Sequence, residues 1–304
     1  MSRIDINVPT INDAASDFET LMNLDQKIRE ACKHSIGITG LYFNFSDCRF
    51  LRPNGVAYLG AISTYLKEVM GYKVFYKIKT MDKRILKMLI DDGFIQKNFT
   101  SHRDSKKPIS ADFIKFDHFK GNLNEDLSLS QKIRNYINDD WLKNDWIHLE
   151  DNLKRDISAK MYEIFANALE HSKSNIGCFA CGQKYEQTSE FVLSVVDLGL
   201  GIPGSVRKFI GTDISDQEAI MWAFKNNNTT RPNGVGGLGL DLISDFLNLN
   251  DGELSVYSNS VSYKIKNKDI KVVSLDSLFS GTIVNIRIRI DEKNLYLYKH
   301  GAKK

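Results

Sequence analysis

Glu163 and Asn167 stand four residues apart in Glu163-Ile-Phe-Ala-Asn167, a spacing that puts two polar side chains on one helix face. One amide oxygen is a sufficient protein anchor for Mg²⁺, which prefers oxygen ligands and keeps most of its waters. A carboxylate one turn earlier is placed to take a proton from a group attacking a phosphate. Asp197-Leu-Gly199-Leu-Gly201 follows the apolar run Phe191-Val-Leu-Ser-Val-Val196. A carboxylate at a strand end accepts a hydrogen bond from the exocyclic amine of adenine, where the oxygen of guanine is repelled, and nearby glycines let a flat ring lie against bare backbone. In Gly234-Val-Gly236-Gly237-Leu238-Gly239-Leu240, glycines open a helical pattern, and unshielded N–H groups at a helix start bind phosphate. Arg231, in the polar run 226–233 before them, has the reach for a phosphate within a segment of lid-like composition. In order along one chain, these residues describe a site for ATP and Mg²⁺ built without a Walker loop. Each also has a plainer reading: a solvated helix face, a turn-forming Asp, a tight helix-entry turn, an exposed loop Arg.

The elements that would carry these residues follow from hydrophobic period. Ile157, Met161, Ile164, Phe165 and Ala168 form one stripe of a helix over 149–171, leaving Glu163, Asn167 and Glu170 on a polar face. Apolar runs at 176–181 and 191–196 flank a polar hairpin, as antiparallel neighbours do. Val284, Ile286, Ile288 and Ile290 alternate with Asn285, Arg287 and Arg289, the pattern of a strand with one buried face. Leu240, Ile243, Phe246 and Leu247 make a further helix that stops at Asn250-Asp251-Gly252. A mixed sheet with helices on one side is expected.

The amino-terminal part alternates short elements. Helices are expected at 13–34, 54–70 and 81–92, and strands at 40–45 and 73–78. Residues 98–126 are rich in Ser, Asp, Lys and Asn, with Phe113, Phe116 and Phe119 isolated, and read as a linker. The expected organisation is therefore an α/β domain over 1–97, a linker over 98–126, and a nucleotide-binding α/β domain with a helical lead-in over 127–304.

Composition excludes several classes. Forty-one Lys and Arg against 38 Asp and Glu leave a formal charge of +3 in 304 residues, too mild and too scattered for nucleic acid or an anionic membrane. No run is apolar enough to span a membrane and the start lacks the apolar core of a signal peptide, so the chain reads as cytoplasmic. Cys178 and Cys181 lie three apart in an expected strand, on opposite faces, which argues against a shared metal.

Glu163-x-x-x-Asn167-Ala168-x-x-His171, Asp197-x-Gly199-x-Gly201-Ile202, Gly234-x-Gly236-Gly237-Leu238-Gly239-Leu240 and Gly281-Thr282 together resemble the GHKL superfamily of gyrase, heat-shock chaperone, histidine-kinase and mismatch-repair ATPases. The resemblance covers roughly 149–290. It implies an α/β sandwich in which Asn167 ligates Mg²⁺, Asp197 reads adenine, the glycines form the ATP lid and Thr282 helps hold a water beside adenine. The segment from Leu41-Tyr-Phe-Asn-Phe-Ser-Asp47 to Asn54-Gly55-Val-Ala-Tyr-Leu59 resembles a STAS domain, the fold of anti-sigma-factor antagonists. Asn54 stands where those antagonists carry a phosphorylatable Ser, which argues against a phospho-switch there.

Within the superfamily, His102, His118 and His148 lack the context of a phospho-accepting histidine, and 291–304 are too few residues for a gyrase-type transducer domain. The Glu-x-x-x-Asn form is most similar to anti-sigma-factor serine kinases and the gyrase branch, in both of which the Glu is the base. Two expectations of different class result. One is an enzyme that hydrolyses ATP or transfers its γ-phosphate to a protein Ser or Thr, with Glu163 as base and the amino-terminal domain docking a partner or sensing a signal. The other is a non-catalytic ATP-sensing module whose closed lid a partner reads. A homodimer is one assembly left open.

Overall fold

The structure, a computed structural model, describes residues 2–33, 38–99, 109–142, 147–225 and 240–297. Its centre is a five-stranded sheet in the order β4-β6-β7-β9-β8, formed by β4 (Phe113–Phe119), β6 (Cys178–Tyr185), β7 (Glu190–Asp197), β8 (Glu253–Lys266) and β9 (Asp269–Arg289). Each neighbouring pair is antiparallel. One face buries Leu193, Val195, Leu254, Val256, Ile286 and Ile288 with Ile157, Met161, Ile164 and Phe165 of α6 (Asp151–Ala166), Ile133 of α5 (Leu127–Asn135) and Phe246 and Leu247 of α9 (Leu240–Asn250). The α6 stripe is thus the expected one, and it seats that helix beneath the strands that end at Asp197.

The other face is covered too. A parallel sheet, β1 (Ser2–Asn7), β2 (Ile38–Asn44) and β3 (Lys73–Tyr76), in that order, forms the outer layer. Between the two sheets lie α1 (Ala15–Lys33) and α2 (Pro53–Glu68), in one core that joins Phe18, Phe43 and Tyr58 to Phe179, Val196, Tyr257, Phe279 and Ile283 of the large sheet. Small and apolar residues occupy most of α2 and it is buried almost all round, as expected of a helix between two layers. Phe18 stacks on Tyr257 at 3.4 Å between ring centroids, a contact of about 0.5–1.5 kcal/mol beyond its buried area.

The molecule is mixed α/β with both parallel and antiparallel sheets, as the sequence suggests. Three expectations need correction. The five-stranded sheet is antiparallel rather than mixed, and the parallel pair β5 (Ile147–Leu149) and β10 (Asp291–Tyr296) forms a separate two-stranded sheet. Helices cover both its faces rather than one. The segment 98–126 is not merely a linker, because it contributes β4 to the large sheet. Pattern alone also missed α7 (Gly201–Ile210) and α8 (Asp216–Phe224). Pro203 sits in the first turn of α7, where a missing N–H costs nothing.

Candidate functional site

Asp197 closes β7 in register with Thr282 of β9 and Cys178 of β6, and it is 3% exposed. The Gly199 N–H donates to its Oδ1 at 3.0 Å, and the hydroxyls of Ser172 and Thr282 lie within hydrogen-bonding reach of the carboxyl. Burial pushes this carboxyl up to about 8, against the opposing pull of those three partners. The hydroxyls are also tied to one another and to backbone. Ser172 Oγ donates to Ala168 O at 2.7 Å, and Ser258 Oγ donates to Gly281 O at 2.8 Å. Ser258 and Thr282 hydroxyls are 3.0 Å apart. Each hydroxyl has one proton to give. The Ser172 and Ser258 protons are thus held by backbone carbonyls, which leaves the Thr282 hydroxyl to donate either to Ser258 or to the Asp197 carboxyl.

Two glycines make the wall of this pocket. A Cβ on Gly199 would stand 2.1 Å from Ser172 O, and one on Gly281, whose φ is +137°, would stand 2.1 Å from Asp197 O. Bare backbone at these positions lets the end of α6 and the β9 turn close around the carboxyl. Gly201 opens α7, and the N–H of the next residue, Ile202, donates to Ser258 Oγ at 2.8 Å. Asp197, Gly199, Gly201 and Thr282, expected from sequence to act together, are therefore neighbours.

Glu163 and Asn167 lie at the carboxyl end of α6, both half-buried. The Asn167 N–H donates to Glu163 O, and Asn167 begins a wide π-helical turn over Asn167–His171. Asn167 O accepts from the Ser172 N–H at 3.1 Å. One residue thus connects the Asn167 turn to Asp197. Lys160 Nζ approaches Glu163 Oε1 at 3.4 Å. As for Mg²⁺, no group of three or more His, Cys, Asp or Glu that could hold a metal occurs among the described residues. Of the residues singled out from sequence, Asn167 carries a side-chain amide oxygen, the donor type suited to a hydrated Mg²⁺ whose remaining ligands would come from phosphate and water.

Ser172 and Ser258 are site residues the sequence reading missed, both buried. Ser172 directly follows the Glu163-to-His171 block, which was the available signal; Ser258, 24 residues before Thr282 in sequence, gave none. Arg231, Gly234, Gly236, Gly237, Leu238 and Gly239 lie outside the described residues, and Leu240 opens α9. Cys178 and Cys181 pack into opposite cores of the sheet, and burial pushes both thiols up. No helix among the described residues is long and apolar enough to cross a membrane. No family model matches the chain, and no curated protein matches it.

Proposed function

We propose that the chain binds ATP with Mg²⁺ and hydrolyses it or transfers its γ-phosphate to a protein Ser or Thr, as a regulatory ATPase or kinase of the GHKL type. The observation that carries this reading is the convergence of Asp197, Gly199, Thr282 and Ser172 in one buried polar cluster, which the Ser172 N–H joins to Asn167 O at the end of the Glu163–Asn167 helix. Adenine is recognised through its exocyclic N–H, donated to the Asp197 carboxyl, with the ring against the glycine backbone. Asn167 holds Mg²⁺, which screens phosphate charge when bound. Glu163 accepts the proton of the attacking water or hydroxyl as its oxygen bonds to the γ-phosphorus and the bond to the β-bridging oxygen breaks. Gly234, Gly236, Gly237 and Gly239, with Arg231 and Leu240, expected from sequence to meet the phosphates, complete the site in this reading.

A second reading, the ATP-sensing module, draws support from the core itself. β7, which ends at Asp197, and β9, which carries Thr282, are packed from behind by α1 and α2, so in this reading the STAS-like half backs the Asp197 cluster and passes a nucleotide signal to a partner without turnover. Supplying γ-labelled ATP, with and without cell extract, separates the two. Label on free phosphate or on a protein supports the enzyme; label wholly retained on ATP that is nonetheless bound supports the module; no binding at all refutes both.

A further inference from the structure

We infer that a second ligand site, for a small oxyanion bearing a hydrogen-bond donor, lies between the two halves on the face of the large sheet opposite Asp197. The basis is a concentration of unfulfilled polar atoms. Among the described residues nine buried side-chain nitrogen or oxygen atoms lack a partner, and six of them cluster here: Asp13 Oδ2, Arg52 Nε and Nη1, Asn54 Oδ1, Asn285 Nδ2 and Arg287 Nε. Native interiors leave few such atoms, and each calls for an explanation.

Their grouping follows from the fold. Arg287 and Asn285 are alternate residues of β9, on the face that also carries Ile283 into the core with α1 and α2. Asn285 stands in register with Ser194, which stands beside Cys181, and the Cys181 thiol contacts Pro53 O at 3.3 Å. The start of α2 therefore lies over this patch. Asn54 Nδ2 donates to Asn12 O at 2.8 Å, drawing in the turn that carries Asp13. Asp13 Oδ1 takes Arg287 Nη2 at 2.9 Å, with Arg52 Nε at 3.8 Å.

The chemistry of the ligand can be read from what is left over. Arg52 lies 3.5 Å from the centroid of the Tyr185 ring, which occupies the face of the guanidinium and leaves its in-plane N–H edge for an acceptor. Three guanidinium N–H positions and one amide N–H seek acceptors, while Asp13 Oδ2 and Asn54 Oδ1 seek donors. Two arginines meet Asp13, while Glu190, 3.9 Å from Arg287, and buried Glu253, in register with Arg287, also act on that guanidinium. A carboxylate or phosphate head on the N–H groups, with a hydroxyl or amine donating to Asp13 and Asn54, satisfies these unpaired hydrogen-bonding atoms together. The polar side chains are the deeply buried kind: Asn54 is 0% and Asn285 5% exposed, and Asp13 is 8% exposed. Arg52 and Arg287, at 16% and 25%, reach solvent and mark the entrance. This site is independent of the proposed nucleotide pocket, since Arg287 follows Thr282 by five residues on β9 and faces the other way, roughly 17 Å along the strand.

The test is calorimetric titration of the full chain with sodium glycolate and with inorganic phosphate, each against chloride at constant ionic strength and with saturating ATP present. Wild type takes up one equivalent of at least one probe saturably; glycolate binding identifies a hydroxycarboxylate head and phosphate binding a phosphate head. Asn285→Asp keeps the Ser194 hydrogen bond while replacing the donor with a carboxylate, and weakens the bound probe at least tenfold. Arg52→Lys, which keeps the charge but loses the planar N–H edge, does the same and serves if the first variant does not fold. Absence of saturable binding of either probe by wild type, or unchanged affinity in the folded variants, overturns the assignment.

Discussion

Two buried polar islands occupy opposite faces of one antiparallel sheet, and their hydrogen bonding differs. Around Asp197, the Ser172, Ser258 and Thr282 hydroxyls and the Gly199 N–H form a connected set. Around Arg52 and Arg287, on the face toward α2, six side-chain atoms have no partner. A connected set holds a site rigid before its ligand arrives, whereas unpaired buried groups raise the free energy of the folded chain until something satisfies them. In the proposed function the first island is thus a preorganised reader. The second is a site whose occupant contributes to stability.

The comparison breaks most completely if the Asp197 side performs no chemistry. Glu163→Ala is expected to keep ATP binding and lower turnover by about 10² to 10⁴-fold, the contribution of a general base; equal turnover in both proteins assigns this face to sensing. A smaller effect tests the rigidity of the reader. Gly281→Ala places a Cβ 2.1 Å from Asp197 O at a φ of +137°, and should lower stability by about 2–4 kcal/mol in urea unfolding. Unchanged stability would mean that this wall yields easily.

Ser172→Ala removes the contacts to Asp197 and Ala168 and should cost about 1–2 kcal/mol of stability; no loss would show that this part of the network is not held. The smallest signal is in pH. Asp197 is pushed from its usual 3.8 up to about 8 by burial, and Asp92 up to about 7 for the same reason. A carboxyl with a raised folded value binds more protons when folded than unfolded between those limits, so native stability falls as pH rises from about 4 toward 8 and then levels. Asp197→Asn, permanently neutral, removes its share of that slope, so its melting temperature gains on wild type between pH 5 and pH 8. Parallel melting curves would show that the carboxyl is already ionised in the fold.

The legible parts of this molecule were those whose signal is periodic and local. The stripe Ile157, Met161, Ile164, Phe165 and Ala168 placed α6 and its polar face, and the alternation from Val284 to Ile288 placed the end of β9. β4 escaped because an irregularity between Ile114 and Asp117 shifts its register; an extra residue breaks the alternation, which leaves Phe113, Phe116 and Phe119 three apart. β8 is interrupted in the same way around Asn259, and Gly201-Ile-Pro203 reads as a turn where it begins a helix. Within the candidate site, Asp197 and its glycines were visible because a carboxylate beside two glycines is a local motif. Ser258 and the Arg52–Arg287 cluster arise only when distant strands and α2 meet, so no local pattern announces them.

The most direct test of the nucleotide reading is calorimetric titration of Mg-ATP into wild type and Asp197→Asn at one pH and salt. Saturable binding by wild type, weakened by about 1–3 kcal/mol in the variant, where the Gly199 N–H takes the amide oxygen and leaves the amide N–H facing the adenine amine, is the expected result. Equal affinity in the two proteins, or no uptake of ATP by wild type, would contradict it.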